Sequence, residues 1–356
     1  MSHSSIPLFP LLLIGAACAG NDASEPGGSF AELSEITTAS SVVLEDPAER
    51  PLGDAGFLLE LDDGFVLADR LTRELRKYSR HGRLLARHTA FGEGPFEFRG
   101  IGGLGRLRDG RVVVMDPQNG RVTYFGPDLT PDTLFSPDFL PSGRVYPAGD
   151  GFLAVTRGGP DVRLRSLSKV SHDWVEEWSV PEPSPGSIFE YPYWGSFSRF
   201  SIAARGDRAW MVYGFLYSIV VVDVAGGSVV DTVHIEAPGF DRASVPKAGA
   251  FTGEVGRESL DRWLASFDML PRIDVVADSF LVVTRGRIKS DSSLRFIYDH
   301  TAIDVFRLED LSPLWWDVQL PEGARVLSGG RSLHVLTGSA PDPLELTSFD
   351  FIGRHE

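Results

Sequence analysis

The sequence predicts an all-β protein, and three observations carry that prediction. Its 356 residues are rich in turn formers (38 Gly, 24 Pro) and aromatics (23 Phe, 8 Tyr, 7 Trp), with only four Met. From about residue 50 onward, short apolar runs alternate with Asp-Gly and Gly-rich turns, the pattern of consecutive hairpins. One such run then recurs along the chain. The length suffices to bury a large core without disulfides or metal. The charge of −15 speaks against a general nucleic-acid binder, whose phosphate contacts need clustered Lys and Arg.

The N-terminal run Ile6 to Ala19, IPLFPLLLIGAACA, is too short and too broken by Pro7 and Pro10 to span a bilayer. It matches the apolar region of a secretory signal ending in small residues. Gly15-Ala16-Ala17-Cys18 has the form of a bacterial lipobox, which makes Cys18 the lipid attachment site. Gly15 stands where Leu is usual, and MSHSS before the run has no Lys or Arg. Plain secretion, with Ala17-Cys18-Ala19 as cleavage motif, is the alternative. The following polar tract, NDASEPGGSFAELSE, reads as a tether, and seven acidic residues precede Arg50, the first Lys or Arg of the chain. The expected division is therefore a signal at 1–18, a flexible acidic linker at 19–36 and a folded domain at 37–356. The expected location is the cell envelope, as a periplasmic or outer-membrane-anchored lipoprotein. With Cys18 used or removed, no cysteine remains for a disulfide.

Self-comparison gives the architecture. Asp63-Gly64-Phe65-Val66-Leu67-Ala68-Asp69, then Arg76-Lys77-Tyr78, recurs 47 residues later as Asp109-Gly110-Arg111-Val112-Val113-Val114-Met115-Asp116, then Val122-Thr123-Tyr124-Phe125. Looser copies start at Gly149, Gly206, Ala277 and Gly329, making six units. Each reads as turn, apolar strand, turn, second strand, which is how a four-stranded propeller blade looks in sequence. The expectation is a six-bladed β-propeller of four-stranded blades. The early strand Ser41 to Asp46 would close the ring beside Ser348-Phe349-Asp350-Phe351 and protect a strand edge. One segment departs from the β pattern. In Glu258 to Leu270 the residues Leu260, Trp263, Leu264 and Phe267 fall on one helical face before Pro271, predicting a short helical insertion near 258–270.

The stretch Arg76-Lys77-Tyr78, Gly82, Phe91-Gly92-Glu93-Gly94-Pro95-Phe96-Glu97-Phe98, Asp109-Gly110, Val112 to Asp116 and Asn119-Gly120-Arg121-Val122 resembles consecutive NHL repeats. It is especially similar to bacterial six-bladed β-propeller lipoproteins carrying a GxGPxEF turn. The match covers about residues 60 to 130, and the other units agree in pattern only. The resemblance implies a propeller and an envelope location, with biochemical roles that range from scaffold to hydrolase or lyase.

No nucleophile elbow, HExxH or Walker motif is present. Gly100-Ile101-Gly102-Gly103-Leu104-Gly105 fits GxGxxG, but Arg106 to Gly110 after it reads as a turn into a strand, not as a helix. His334 reads as a satisfied core histidine. Asp299-His300 with Asp304 fits no defined metal spacing. Asp69 and Asp116 recur at equivalent repeat positions, as expected of carboxylates that accept turn N–H groups.

The arginines give the candidate site. Arg144, Arg272 and Arg325 each stand eight residues before a matching strand position, Phe152, Phe280 and Leu333; Arg99 and Arg199 lie near the same boundary. Arginines beginning innermost strands would converge on one mouth of the channel and offer bidentate donors to a carboxylate, a phosphate or an acidic glycan. Tyr191, Tyr193 and Trp194 crowd one connection and could stack on a sugar ring or a partner. The reading is a monomeric binding or interaction module for a protein or an anionic ligand, with no catalytic residue, metal site, cofactor or nucleic acid, and with the membrane reached only through a lipid anchor. The alternative is a propeller hydrolase or lyase using a divalent metal such as calcium. A third reading is a purely structural envelope protein.

Overall fold

The computed structural model describes residues 36–148, 151–157, 166–181, 200–214, 216–242, 259, 262–290, 296–321, 323–328, 330–338 and 343–351. These form an all-β propeller fold of twenty-four strands with almost no helix. Strand β1 (Ile36–Val43) is followed by an antiparallel sheet of β2 (Ala55–Leu61), β3 (Gly64–Asp69), β4 (Glu74–Ser79) and β5 (Leu84–Thr89). Next come β6 (Gly103–Arg106), β7 (Val112–Asp116), β8 (Arg121–Phe125) and β9 (Pro131–Phe135), then β10 (Leu140–Ala148), β11 (Gly151–Arg157), β12 (Ser166–Ser171) and β13 (Glu176–Pro181). Those eight strands make one sheet, joined by a single parallel pairing of Val145 with Gly105. Two further four-stranded sheets hold β14 (Phe200–Arg205), β15 (Arg208–Tyr213), β16 (Leu216–Asp223) and β17 (Ser228–His234), and β18 (Met269–Val276), β19 (Phe280–Ser290), β20 (Phe296–Arg307) and β21 (Pro313–Gln319). The last sheet has the order β1-β24-β23-β22, from β22 (Arg325–Ser328), β23 (Leu333–Thr337) and β24 (Glu345–Phe351).

That last sheet joins the two ends of the described chain. The strand closes on β24 as the sequence predicts, but further along: Ser348 to Phe351 pair with Ser40 to Ile36, Ser41 and Val42 pair with Thr347 and Leu346, and β1 runs from Ile36 to Val43. Asp46 instead turns inward, accepting from Leu52 N (2.9 Å) and from Arg76 Nη1 (2.7 Å).

The six repeat runs all become second strands: β3, β7, β11, β15, β19 and β23. Their position explains their composition. A second strand lies inside its own sheet and between neighbouring sheets, so both faces are buried. β7 reads Val112-Val113-Val114-Met115 without alternation, each at 0% exposure. Burying such side chains contributes about 1.5–3 kcal/mol each, as an upper estimate. The outer strand β5 alternates half-buried and exposed residues instead. The apolar side chains gather into clusters, each made by facing strands of two adjacent groups. One joins Val66 and Leu75 to Leu104, Val112 and Val114, and another joins Leu67 and Tyr78 to Leu336 and Leu346. Trp315 packs on Phe280 and Phe351 while Trp316 meets Phe306, one to each side of β21, as strand alternation requires.

The helical expectation near 258–270 needs correction. Among the described residues, helix is found at 259 and 262–264, and by Met269 the chain is already in β18, with Pro271 inside that strand. The register of β18 against β19 shifts between Met269 and Arg272, so Pro271, which has no N–H to donate, falls where the ladder is interrupted. Leu264 and Phe267 are nevertheless buried, in the cluster that also holds Met211 and Met269.

Candidate functional site

The inner strands β2, β6, β10, β14, β18 and β22 surround the middle of the fold, and β10 and β18 send arginines into it. Both strands carry a register shift beside the arginine, between Ser142 and Tyr146 in β10 and between Met269 and Arg272 in β18. Such irregularities re-aim side chains out of the ordinary pleat. Where β10 crosses β6 the backbones touch. A Cβ on Gly103 would lie 1.8 Å from Gly143 O, and Gly143 itself has φ 77°, so both positions need glycine.

Arg144 extends across the axis. Its Nη1 donates to Asp274 Oδ1 on β18, and its Nη2 donates to Leu327 O on β22 (2.8 Å) and, more weakly, to Leu58 O on β2 (3.4 Å). Arg272 grips the same carboxylate from the side, through Nε to Oδ2 and Nη2 to Oδ1 (3.1 Å). Tyr146, two residues beyond Arg144, donates its hydroxyl to Ile202 O on β14 (2.9 Å). Asp274 is 1% exposed, and the side chains of Arg144 and Arg272 are 15% and 14% exposed. Two guanidiniums therefore share one carboxylate in a nearly dry setting. Burial and, next, the charge of Arg144 hold Arg272 below the usual arginine range, with Asp274 opposing. Burial works against Arg144 too, but Asp274 and Tyr146 hold it above its ordinary value. Both remain cations at neutral pH.

Beside Arg144 opens a cavity of ≈ 380 Å³. Its walls are Leu58, Leu59 and Glu60 of β2, Leu104 to Arg108 of β6 and the turn after it, and Arg144 to Pro147 of β10. It runs toward the ends of these strands, where the chain turns back into β3, β7 and β11. Glu60 meets His334 Nε2 (3.5 Å) and Arg80 (3.7 Å), and the His334 hydrogen bond holds its carboxyl below the usual range against the effect of burial. Arg106 makes a two-armed contact with Asp62 (3.1 and 2.7 Å). His334 is buried, with Nδ1 on Ser348 Oγ (2.9 Å), the satisfied histidine that its apolar strand neighbours suggest.

The predicted arginines thus separate. Arg144 and Arg272 come together, but within their strands, not at the strand starts expected of them. Arg325 does begin β22, and it pairs with Asp54 (3.0 Å), which also binds Arg70 (2.8 Å). Burial chiefly holds Arg325 below its usual value. Arg99 stands in the loop before β6, half exposed, paired with Glu93 (2.9 Å) and away from the axial cluster. Arg199, Tyr191, Tyr193, Trp194 and Cys18 lie outside the described residues. Asp274 was not singled out in the sequence, although Arg272-Ile273-Asp274 places both charges on one side of a strand by the two-residue period.

Asp69 and Asp116 act as the repeat pattern implies. Asp69 accepts from the N–H groups of Gly53 (2.6 Å), Asp54 (3.0 Å), Leu71 (2.9 Å) and Thr72 (3.1 Å). Asp116 accepts from those of Arg99 (2.9 Å), Gly100 (3.2 Å), Gln118 (3.1 Å) and Asn119 (3.1 Å). Asn119 Nδ2 and Arg121 then hold the Gly92–Phe98 loop through the carbonyls of Gly92 (3.0 Å) and Glu97 (2.8 Å). After the glycine run, Arg108 to Gly110 turn the chain into strand β7 and no helix follows, as the sequence predicts, while Gly103 to Arg106 at the end of the run are themselves strand β6. Among the described residues no three His, Cys, Asp or Glu side chains come together as a metal site. Asp304 is committed to Tyr217 Oη (2.6 Å) and Asp317 N (2.7 Å), and burial raises its carboxyl above the usual range. Among these residues no helix is long and apolar enough to cross a membrane.

No family model and no curated protein matches the sequence. Solved structures do match in shape. A candidate exported protein from Bacteroides fragilis is 12% identical with a TM-score of 0.61, over 90% of this chain and 96% of that one. A member of the DUF4221 family from Bacteroides vulgatus is 10% identical, also with a TM-score of 0.61, over 89% and 98%. At such identities the likeness speaks for the fold, and it extends over nearly the whole length of both relatives.

Proposed function

We propose that this chain is an exported, lipid-anchored binding protein, a six-bladed NHL-like propeller that takes an anionic ligand at Arg144 in its axial channel. Six blades follow if the eight-stranded sheet is two blades linked at their inner strands, a reading supported by its single parallel pairing and by apolar clusters between every adjacent group of four strands. The anchor is Cys18, and replacing it with Ser should release the protein from the membrane fraction. The observation that carries the binding role is the charged cluster that meets the cavity at Arg144: among the described residues, two buried guanidiniums, Arg144 and Arg272, share the one buried carboxylate of Asp274. Burying an uncompensated charge is costly, and an anion in the cavity would neutralise the surplus. Arginine suits this role because it stays charged and presents planar paired donors.

Calorimetric titration of the purified protein with phosphate, sulfate and octanoate tests the proposal. At least one should bind, and Arg144→Gln should weaken it about tenfold or more. Failure of all three, or binding indifferent to Arg144, would overturn it.

A further inference from the structure

Resting on the anion site just proposed, the geometry points to a more specific ligand class: we infer that the cavity takes an elongated dianion, with one anionic group on Arg144, an apolar middle, and the second anionic group on Arg108 at the mouth. The cavity has cations at both ends. Arg144 lies at its axial end, level with the pairing of Val145 and Gly105. Arg108 lies three residues past Gly105, in the turn to β7, so the two levels are at most about 10 Å apart along an extended backbone. The rest of the wall combines the apolar side chains of Leu58, Leu59, Leu104, Leu107 and Val145 with Glu60, Arg106 and Tyr146, whose polar groups are already engaged by His334 and Arg80, by Asp62 and by Ile202 O.

The charges at the mouth favour a second anion over a cation. Arg106 is spent on Asp62, and Glu60 is shared between Arg80 and His334. Arg331 also acts on the Glu60 and Asp62 carboxylates. Arg108 is exposed and has neither ion pair nor hydrogen bond among the described residues, so its guanidinium is free to take a ligand. A monoanion would satisfy the axial surplus and leave Arg108 idle. A compact dianion such as phosphate would not reach both ends.

Calorimetry with octanedioate, octanoate and butanedioate separates these cases. Octanedioate should bind the wild-type protein about fivefold more tightly than octanoate, a gain fitting one partly solvated charge contact. Butanedioate, too short to reach both ends, should lack that gain. Arg108→Gln should bring octanedioate down to the level of octanoate and leave octanoate unchanged, while Arg108→Lys keeps most of the gain. Equal binding of the two eight-carbon acids, or a gain that survives Arg108→Gln, overturns the dianion inference. If only phosphate or sulfate binds, in an Arg144-dependent way, the inference falls and the anion site stands. If no anion binds, both fall.

Discussion

Asp116 and Asp274 are both buried carboxylates on strands of one propeller, at 0% and 1% exposure, yet their surroundings differ in kind. Asp116 is saturated by backbone N–H groups no more than 17 residues away, and its charge closes the junction between a turn and the next inner strand. Among the described residues, Asp274 is outnumbered. One of its two arginines comes from two residues away, the other from 130, and the second of these also ties β10 to β22. The first arrangement is finished within itself and has nothing to offer a ligand. The second leaves a positive charge over, next to open space. Buried ionic residues mark a candidate site when their charges do not cancel.

The largest effect expected from this contrast is at the axis. Asp274→Ala leaves two guanidiniums without their carboxylate and should cost about 4 kcal/mol in urea unfolding. A loss under about 1 kcal/mol would mean that the axial cluster does not hold the strands together. Asp116→Ala should cost about 3 kcal/mol, since it strips acceptors from several turn N–H groups at once. Its anion binding should match the wild type, because the turn carboxylates stand apart from the axial charges. Loss of binding in that variant would erase the distinction drawn between the two regions.

Acid titration separates them further. Burial opposes ionisation of Asp69, but its four backbone donors prevail and hold its carboxyl below the usual range. A depressed native pKa means that its stabilisation is present above the unfolded value of about 3.9 and is lost as the pH falls through the native value. Asp69→Asn should therefore be less stable at pH 7 by about 1 kcal/mol. That deficit should narrow below about pH 4. A deficit that stays constant down to the acid transition would show that the charge of Asp69 contributes nothing. The smallest effect belongs to Arg99→Ala. This exposed pair with Glu93 should be worth under about 0.5 kcal/mol, with no change in anion binding.

The fold was legible in the sequence where the physics is local. The Asp-Gly turn, the unbroken Val112 to Met115 run and the closing Asp116 all belong to one hairpin and its neighbour, so the repeat can be read within 47 residues. Closure of β1 on β24 was legible because strand patterns stand both before the first repeat and after the last. The helix near 258–270 was overestimated. The period that places Trp263, Leu264 and Phe267 on one face is real, but Met269 and Leu270, equally apolar, already belong to strand β18. At the site, spacing singled out Arg144 and Arg272 but not their depth. That depth depends on irregularities within β10 and β18, and the contacts of Arg144 with Asp274 and Leu327 cross the ring over 130 and 183 residues. Strand spacing does not encode such distances. Nor could it tell Arg99, held by a nearby Glu93, from an axial arginine.

Arg272→Gln offers the sharpest reading of the central claim, because it removes the surplus cation and leaves the Arg144–Asp274 pair in place. Octanoate would be titrated into the wild-type and variant proteins at low salt, with melting temperatures taken on the same samples. The account predicts that the variant melts no lower than the wild type and binds octanoate at least about fivefold more weakly. Equal affinity in the two proteins, with both folded, would contradict the claim that an unbalanced axial charge makes this channel an anion site.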